Sequence, residues 1–314
     1  MNFKRESFAK IPAPLAGLGL GVSCLGIVIL NFNILFGNIL GVIAAIVLSI
    51  YLLKIILNVS AFKNDLNHPV FSSIVPTFSM GIMIMSNYLG QIIYEAGRIV
   101  WIVAVILHGL LLINFLRNIL KEFDFLNILP SYFIPPVGIV VACVSGGMFN
   151  FSILSETLFY FGFISYFITL TFIIIRLQRG NIPSQNKPTL AILAAPASLC
   201  LAGYLSLNSV PNPVFISILV PLSIIMTIIV YAMFIKLLRI PFNPGYSAYT
   251  FPVAISAAAM VKFTGYLKNL GNAWASNVEV FAIIEVYIAI LIVFYVGIRY
   301  LYFYIGTTES EGLT

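Results

Sequence analysis

Charge is what this chain has least of. Asp, Glu, Lys and Arg make up 8% of its 314 residues, against 61% hydrophobic. A soluble domain carries about 25% charged residues. The composition, with a mean hydropathy of +1.07, therefore excludes a soluble globular protein and leaves no room for a sizeable domain outside a membrane. A single transmembrane domain over residues 1–314 is expected. Cysteine is scarce too. Cys24, Cys143 and Cys200 all lie inside apolar stretches with no CxxC spacing. That excludes a disulfide framework or a thiolate metal centre and leaves small packing residues. No HExxH, Walker loop, GxSxG or metal-spaced carboxylate pair occurs, so neither an enzyme nor a cofactor or metal site is expected. The net charge of +6 is no sign of nucleic-acid binding, because the basic residues sit in short loops between apolar runs. No small-residue cleavage site follows the opening MNFKRESFAK, so a signal peptide is not expected.

What the chain has in abundance is apolar segments of membrane length. A crossing helix needs about 20 such residues. Ten segments qualify, at roughly 12–31, 34–57, 69–89, 92–117, 129–148, 151–176, 188–207, 212–237, 246–267 and 277–303. Lys4, Arg5, Lys10, Lys54, Lys63, Arg117, Lys121, Arg176, Arg179, Lys187, Lys236, Arg239 and Arg299 fall at alternate ends. The opposite loops are nearly free of basic residues, Lys268 excepted. That bias places both termini in the cytoplasm and sends the odd segments outward. The acidic tail TTESEGLT is expected to be unstructured.

A proline recurs near the start of each odd segment: Pro14, Pro76, Pro136, Pro196 and Pro252, at intervals of 62, 60, 60 and 56 residues. A fixed period of this size reads as repetition of one structural unit, here a helical hairpin. The odd segments mix proline with Gly, Ala, Ser and Thr, whereas the even ones are bulky on every side. Proline frees a carbonyl and bends a helix. Irregular backbone at membrane depth is tolerated where it is buried in protein or lines a wet cavity. An inner ring of odd helices around a central pore is therefore expected, with the even helices outside. Close helix–helix packing is the other use of small residues. Charges within the spans are few. Glu95 and Arg98 are three apart and suit a pair on one helix face. Lys262 and Glu285 are candidates for an interhelical pair, and Glu156 and His108 complete the set. Intramembrane ionisable groups are the only residues on which a proton-coupled carrier could run.

The start PAPLAGLGLG, the stretch AYTFPVAISAAAMVKFTGYL at 248–267 and the alternating proline-bearing spans resemble the tellurite-resistance TehA / C4-dicarboxylate carrier family, which includes the plant guard-cell slow anion channel. The resemblance covers essentially the whole chain. It implies an all-α fold of ten helices in five hairpins, a homotrimer in a bacterial inner membrane, and a pore in each protomer lined by the odd helices. It also implies a phenylalanine plug on the ninth helix. Phe263 is the better match and Phe251, in the YTFP motif, the other; both are also readable as packing aromatics. Gly17 would be a wall position, with Pro14, Pro76, Pro136, Pro196 and Pro252 along the pore. The function implied is passive, anion-selective conduction of small inorganic or organic anions, with membrane lipid around the protein. The alternative is a proton-coupled or facilitative carrier for tellurite or a dicarboxylate.

Overall fold

The computed structural model describes residues 8–121, 123–208 and 210–311. The loop charges Lys4 and Arg5 and the last three residues of the tail lie outside them. The described residues are mostly helical and contain no strand. The α-helices are α1 (Leu15–Leu30), α2 (Ile34–Leu57), α3 (Val59–Asn67), α4 (Phe71–Ile74), α5 (Thr77–Ile92), α6 (Tyr94–Lys121), α7 (Ile134–Val137), α8 (Val141–Ser145), α9 (Ser152–Gln178), α10 (Ala195–Leu207), α11 (Pro213–Leu237), α12 (Thr250–Asn269) and α13 (Ala275–Glu311). Helix α13 carries on past the last apolar residues into the segment expected to be unstructured.

Seven helices are long and apolar enough to cross a membrane on their own: α2, α6, α9, α11, α13, Ser184–Leu207 and Pro244–Asn269. The three other expected segments are shorter or broken. Helix α1 has 16 residues, and Pro130–Ser145 is apolar but interrupted. Phe71–Ile92 is bent by 100° from α3. Proline is the common cause of these breaks. It denies the helix an amide and crowds the preceding turn: Pro14 sits at the N-cap of α1, Pro69 lies in the bend between α3 and α4, and Pro130, Pro135 and Pro136 lie in the interrupted segment.

The odd and even segments differ in burial as their compositions require. In Ser184–Leu207 and Pro244–Asn269, 78% and 72% of the apolar window is buried; in α2, α6, α9, α11 and α13 the share is 22–39%. The even helices turn Ile, Leu, Val and Phe outward, among them Ile34, Ile46, Val103, Ile164 and Leu291. An outward apolar face of that length suits lipid and not water. The buried elements touch in a closed cycle: α1 with α5, α5 with α8, α8 with α10, α10 with α12, and α12 back to α1.

Three of the buried segments begin as 3₁₀ helices, at Pro130–Phe133, Ser184–Ala194 and Pro244–Tyr249. Runs beyond three or four residues are uncommon, because 3₁₀ hydrogen-bond geometry is poorer. Ser184–Ala194 is 11 residues long with Pro188 inside it, a residue with no amide to donate. With three residues per turn, every third side chain points the same way. These entries therefore present one stripe each to the centre of the cycle.

Candidate functional site: two cavities on one line

A cavity of about 60 Å³ lies inside the cycle, toward the N-terminal ends of the buried segments. By volume it holds a few waters. All five segments line it at near-threefold spacing: Pro14, Gly17 and Leu20; Ile74, Thr77 and Met80; Ile134 and Val137; Thr189, Ile192 and Ala195; Gly245, Ala248 and Phe251. None of its lining residues is charged. The hydroxyls of Thr77 and Thr189 donate to the carbonyls of Ile74 and Asn186, each at 2.7 Å. Helices α1, α5, α10 and α12 begin at this level, with their first amides already bonded to the turn before: Leu15 N donates to the Pro12 carbonyl, Phe78 N to that of Val75, Ala195 N to that of Ile192 and Thr250 N to that of Ser247.

Gly17 and the prolines now have definite places. A Cβ on Gly17 would stand 3.2 Å from Ser247 Oγ and 3.9 Å from Thr77 Oγ1, both of them wall residues. Pro14, Pro196 and Pro252 are on the wall, but Pro76 and Pro136 are not. Pro76 instead offers its carbonyl to Ser79 Oγ at 2.8 Å. Pro136 lies within the short helix α7, beside Pro135, whose carbonyl is 2.8 Å from His108 Nε2.

A second cavity, of about 250 Å³, lies toward the C-terminal ends of the same segments. Cys24, Val28 and Asn31 extend the α1 stripe, and Ile84, Asn87 and Gln91 extend that of α5. Val144 and Ser145 come from the third segment, and Ala258, Val261 and Lys262 from α12. The two cavities thus share faces of four segments, while Ser184–Leu207 lines only the first.

The two phenylalanines separate here. Phe251 lines the first cavity. Phe263 does not; it is buried with Leu267 and Ala275 beside Leu205, Ile216 and Val220, its ring 6.3 Å from that of Tyr266. The cause is helix phase. Twelve residues past Phe251 is about three and a third turns, which leaves Phe263 a third of a turn off the cavity face. Lys262, eleven residues on, completes about three whole turns and returns to it.

The expected charge pairs also come apart. Lys262 and Glu285 form no ion pair: Lys262 faces the second cavity, whereas Glu285 is 1% exposed on α13 and its Oε2 has no hydrogen-bond partner. Helix α12 turns Lys262 inward, away from the helix that carries the acid. Glu95 and Arg98 meet at 3.6 Å, but both are exposed and not buried. His108 is buried between Ser79 Oγ at 3.0 Å and the Pro135 carbonyl at 2.8 Å, tying α6 to two central segments. Glu156 is exposed on α9.

Sequence reading missed a hydroxyl chain. Ser198 Oγ lies 2.8 Å from Ser223 Oγ and 3.2 Å from Ser256 Oγ, and Ser256 lies 3.0 Å from Thr227 Oγ1. It fastens α10 and α12 to α11. A legible signal existed: Ser79, Ser198 and Ser256 each follow a recurring proline by two to four residues and donate to a nearby backbone carbonyl.

The family model of the SLAC1 voltage-dependent anion channels matches residues 13–301. Two uncharacterized transporters of Methanocaldococcus jannaschii are each 26% identical, over 62% and 67% of this chain and 65% and 69% of their own lengths. A tellurite resistance protein TehA homolog of Haemophilus influenzae is 24% identical over 63% of this chain and 64% of its own. The chain thus spans about two thirds of the length of these relatives. With a family model reaching from before Pro14 to beyond Glu285, this multi-pass membrane protein belongs to the SLAC1 family of channels and transporters.

Proposed function

We propose that the chain is an anion-selective channel of ten crossings, arranged as five hairpins around a pore, with the buried segments inside. The supporting observation is the cavity walled by all five buried segments and continued on four of them by a second cavity. The loop charges orient it with the first cavity toward the cytoplasm of a bacterial inner membrane. The wall of that cavity carries no full charge, so a bound anion is held weakly enough to leave. Selectivity then follows ease of dehydration and favours large, weakly hydrated anions. Phe251 is the occluding residue, since an aromatic ring across a narrow apolar bore blocks by bulk and by dewetting. A homotrimer with one pore per protomer completes the proposal. The Haemophilus influenzae relative bears the name of tellurite resistance, and tellurite belongs to the anion class such a path would pass. A carrier would need a protonatable or anion-pairing residue on the path; Glu95, His108, Glu156 and Glu285 line neither cavity, and Lys262 lines the second.

Voltage clamp at matched surface expression tests the reading. Phe251→Ala is expected to pass several-fold more anion current than wild type, nitrate above chloride above sulfate, with no response to a proton gradient. Phe263→Ala is expected to conduct as wild type does. A large current from Phe263→Ala alone would move the plug to that residue. No current in either variant, with proton-dependent uptake in vesicles, would replace the channel with a carrier.

A further inference from the structure

We propose that the second cavity is an anion-capture site built on Lys262, a station that holds small inorganic anions before they reach the constriction at Phe251. The inference rests on the channel reading for its role, but not for its existence as a binding site. Lys262 is the one charged residue of the lining, and no carboxylate lines the cavity with it. Among the described residues its ammonium makes neither a hydrogen bond nor an ion pair. Glu156 and Glu285 line neither cavity and form no ion pair with Lys262, and two other carboxylates near this end are engaged elsewhere. Glu95 pairs with Arg98 at 3.6 Å, and Glu279 with Lys268 at 2.7 Å.

Two side-chain amides on the otherwise largely apolar wall have a hydrogen left to donate. Gln91 Nε2 gives one hydrogen to Asn87 Oδ1 at 3.0 Å, and Asn87 Nδ2 gives one to the Ser145 carbonyl at 3.2 Å. Each amide nitrogen carries two hydrogens, so each keeps one for a ligand. The carbonyl oxygen of Asn87, which would repel an anion, is covered by Gln91. Ser145 is itself held in place, since Trp101 Nε1 donates to its hydroxyl at 3.2 Å. The donors left over are three from Lys262 and one each from Asn87 and Gln91, which suits a halide or a small oxyanion. Three turns of α12, about 16 Å, separate Lys262 from Phe251 on the same helix face. Charge held at that distance raises the local anion concentration without trapping the ion at the constriction.

The test has a binding arm and a transport arm. In purified protein, added sodium nitrate is expected to raise the melting temperature of wild type and of Lys262→Arg. In Lys262→Gln the nitrate concentration needed is expected to rise about ten- to hundredfold, the worth of a hydrogen bond to a charged group. In the Phe251→Ala background, Lys262→Glu is expected to reduce anion entry from the Lys262 side at least tenfold, and entry from the opposite side less. An unchanged nitrate response in Lys262→Gln would overturn the capture site. So would equal loss of current in both directions in Lys262→Glu. Absence of current from Phe251→Ala itself would count against the channel, while the melting arm would still decide the site.

Discussion

Gly17 offers the sharpest test of where the path runs. Its Cα borders the first cavity, and a Cβ there would stand 3.2 Å from Ser247 Oγ and 3.9 Å from Thr77 Oγ1. That is tight, but a serine hydroxyl can retreat by a few tenths of an ångström, so small substitutions should fold. Gly17→Asp adds bulk and a negative charge to a cavity of about 60 Å³. An anion passing about 6 Å from the carboxylate, at an effective dielectric constant of about 20, meets about 3 kcal/mol of repulsion, or a hundredfold in occupancy. Gly17→Asn carries nearly the same bulk without the charge. Anion currents of both should be compared in the Phe251→Ala background at matched surface expression. The Asp variant should fall about a hundredfold below the Asn variant. Equal currents would refute the placement of Gly17 on the anion path. Gly21, one turn on, is the packing control. Its Cβ would meet Thr250 Oγ1 at 2.1 Å and the Phe251 amide nitrogen at 2.9 Å, so Gly21→Ala should lower folded yield and not merely current.

Two further predictions concern the scaffold. His108→Leu removes the contacts to Ser79 and the Pro135 carbonyl and leaves buried polar groups unmet, costing about 1–3 kcal/mol. A lower melting temperature checks it, with nitrate-over-chloride preference unchanged. Lys54 is 2% exposed, bound to Asp65 at 2.5 Å and to the Ile11 carbonyl at 2.6 Å. Asp65→Ala strips its counter-charge and should cost about 3 kcal/mol, measured as the loss of thermal stability. The double variant Lys54→Met/Asp65→Ala should recover most of that, because no charge is then left buried alone.

The sequence by itself determined that this is a helical membrane protein with proline-marked segments inside and bulky ones outside. Those properties follow from hydropathy and side-chain size, which act locally and need no partner to be read. Gly17 as a wall residue came from the family resemblance of PAPLAGLGLG and not from composition. Tertiary structure alone decided which faces meet. Along a line of letters Phe263 is the better match to the plug and Lys262–Glu285 the expected pair, yet Phe251 lines the first cavity and Lys262 turns inward to the second. Choosing between them requires the rotation of α12 about its axis. The angle between Phe251 and Phe263 belongs to α12 itself; which of the two faces the cavity is fixed by the packing of α12 against α1, α10 and α13.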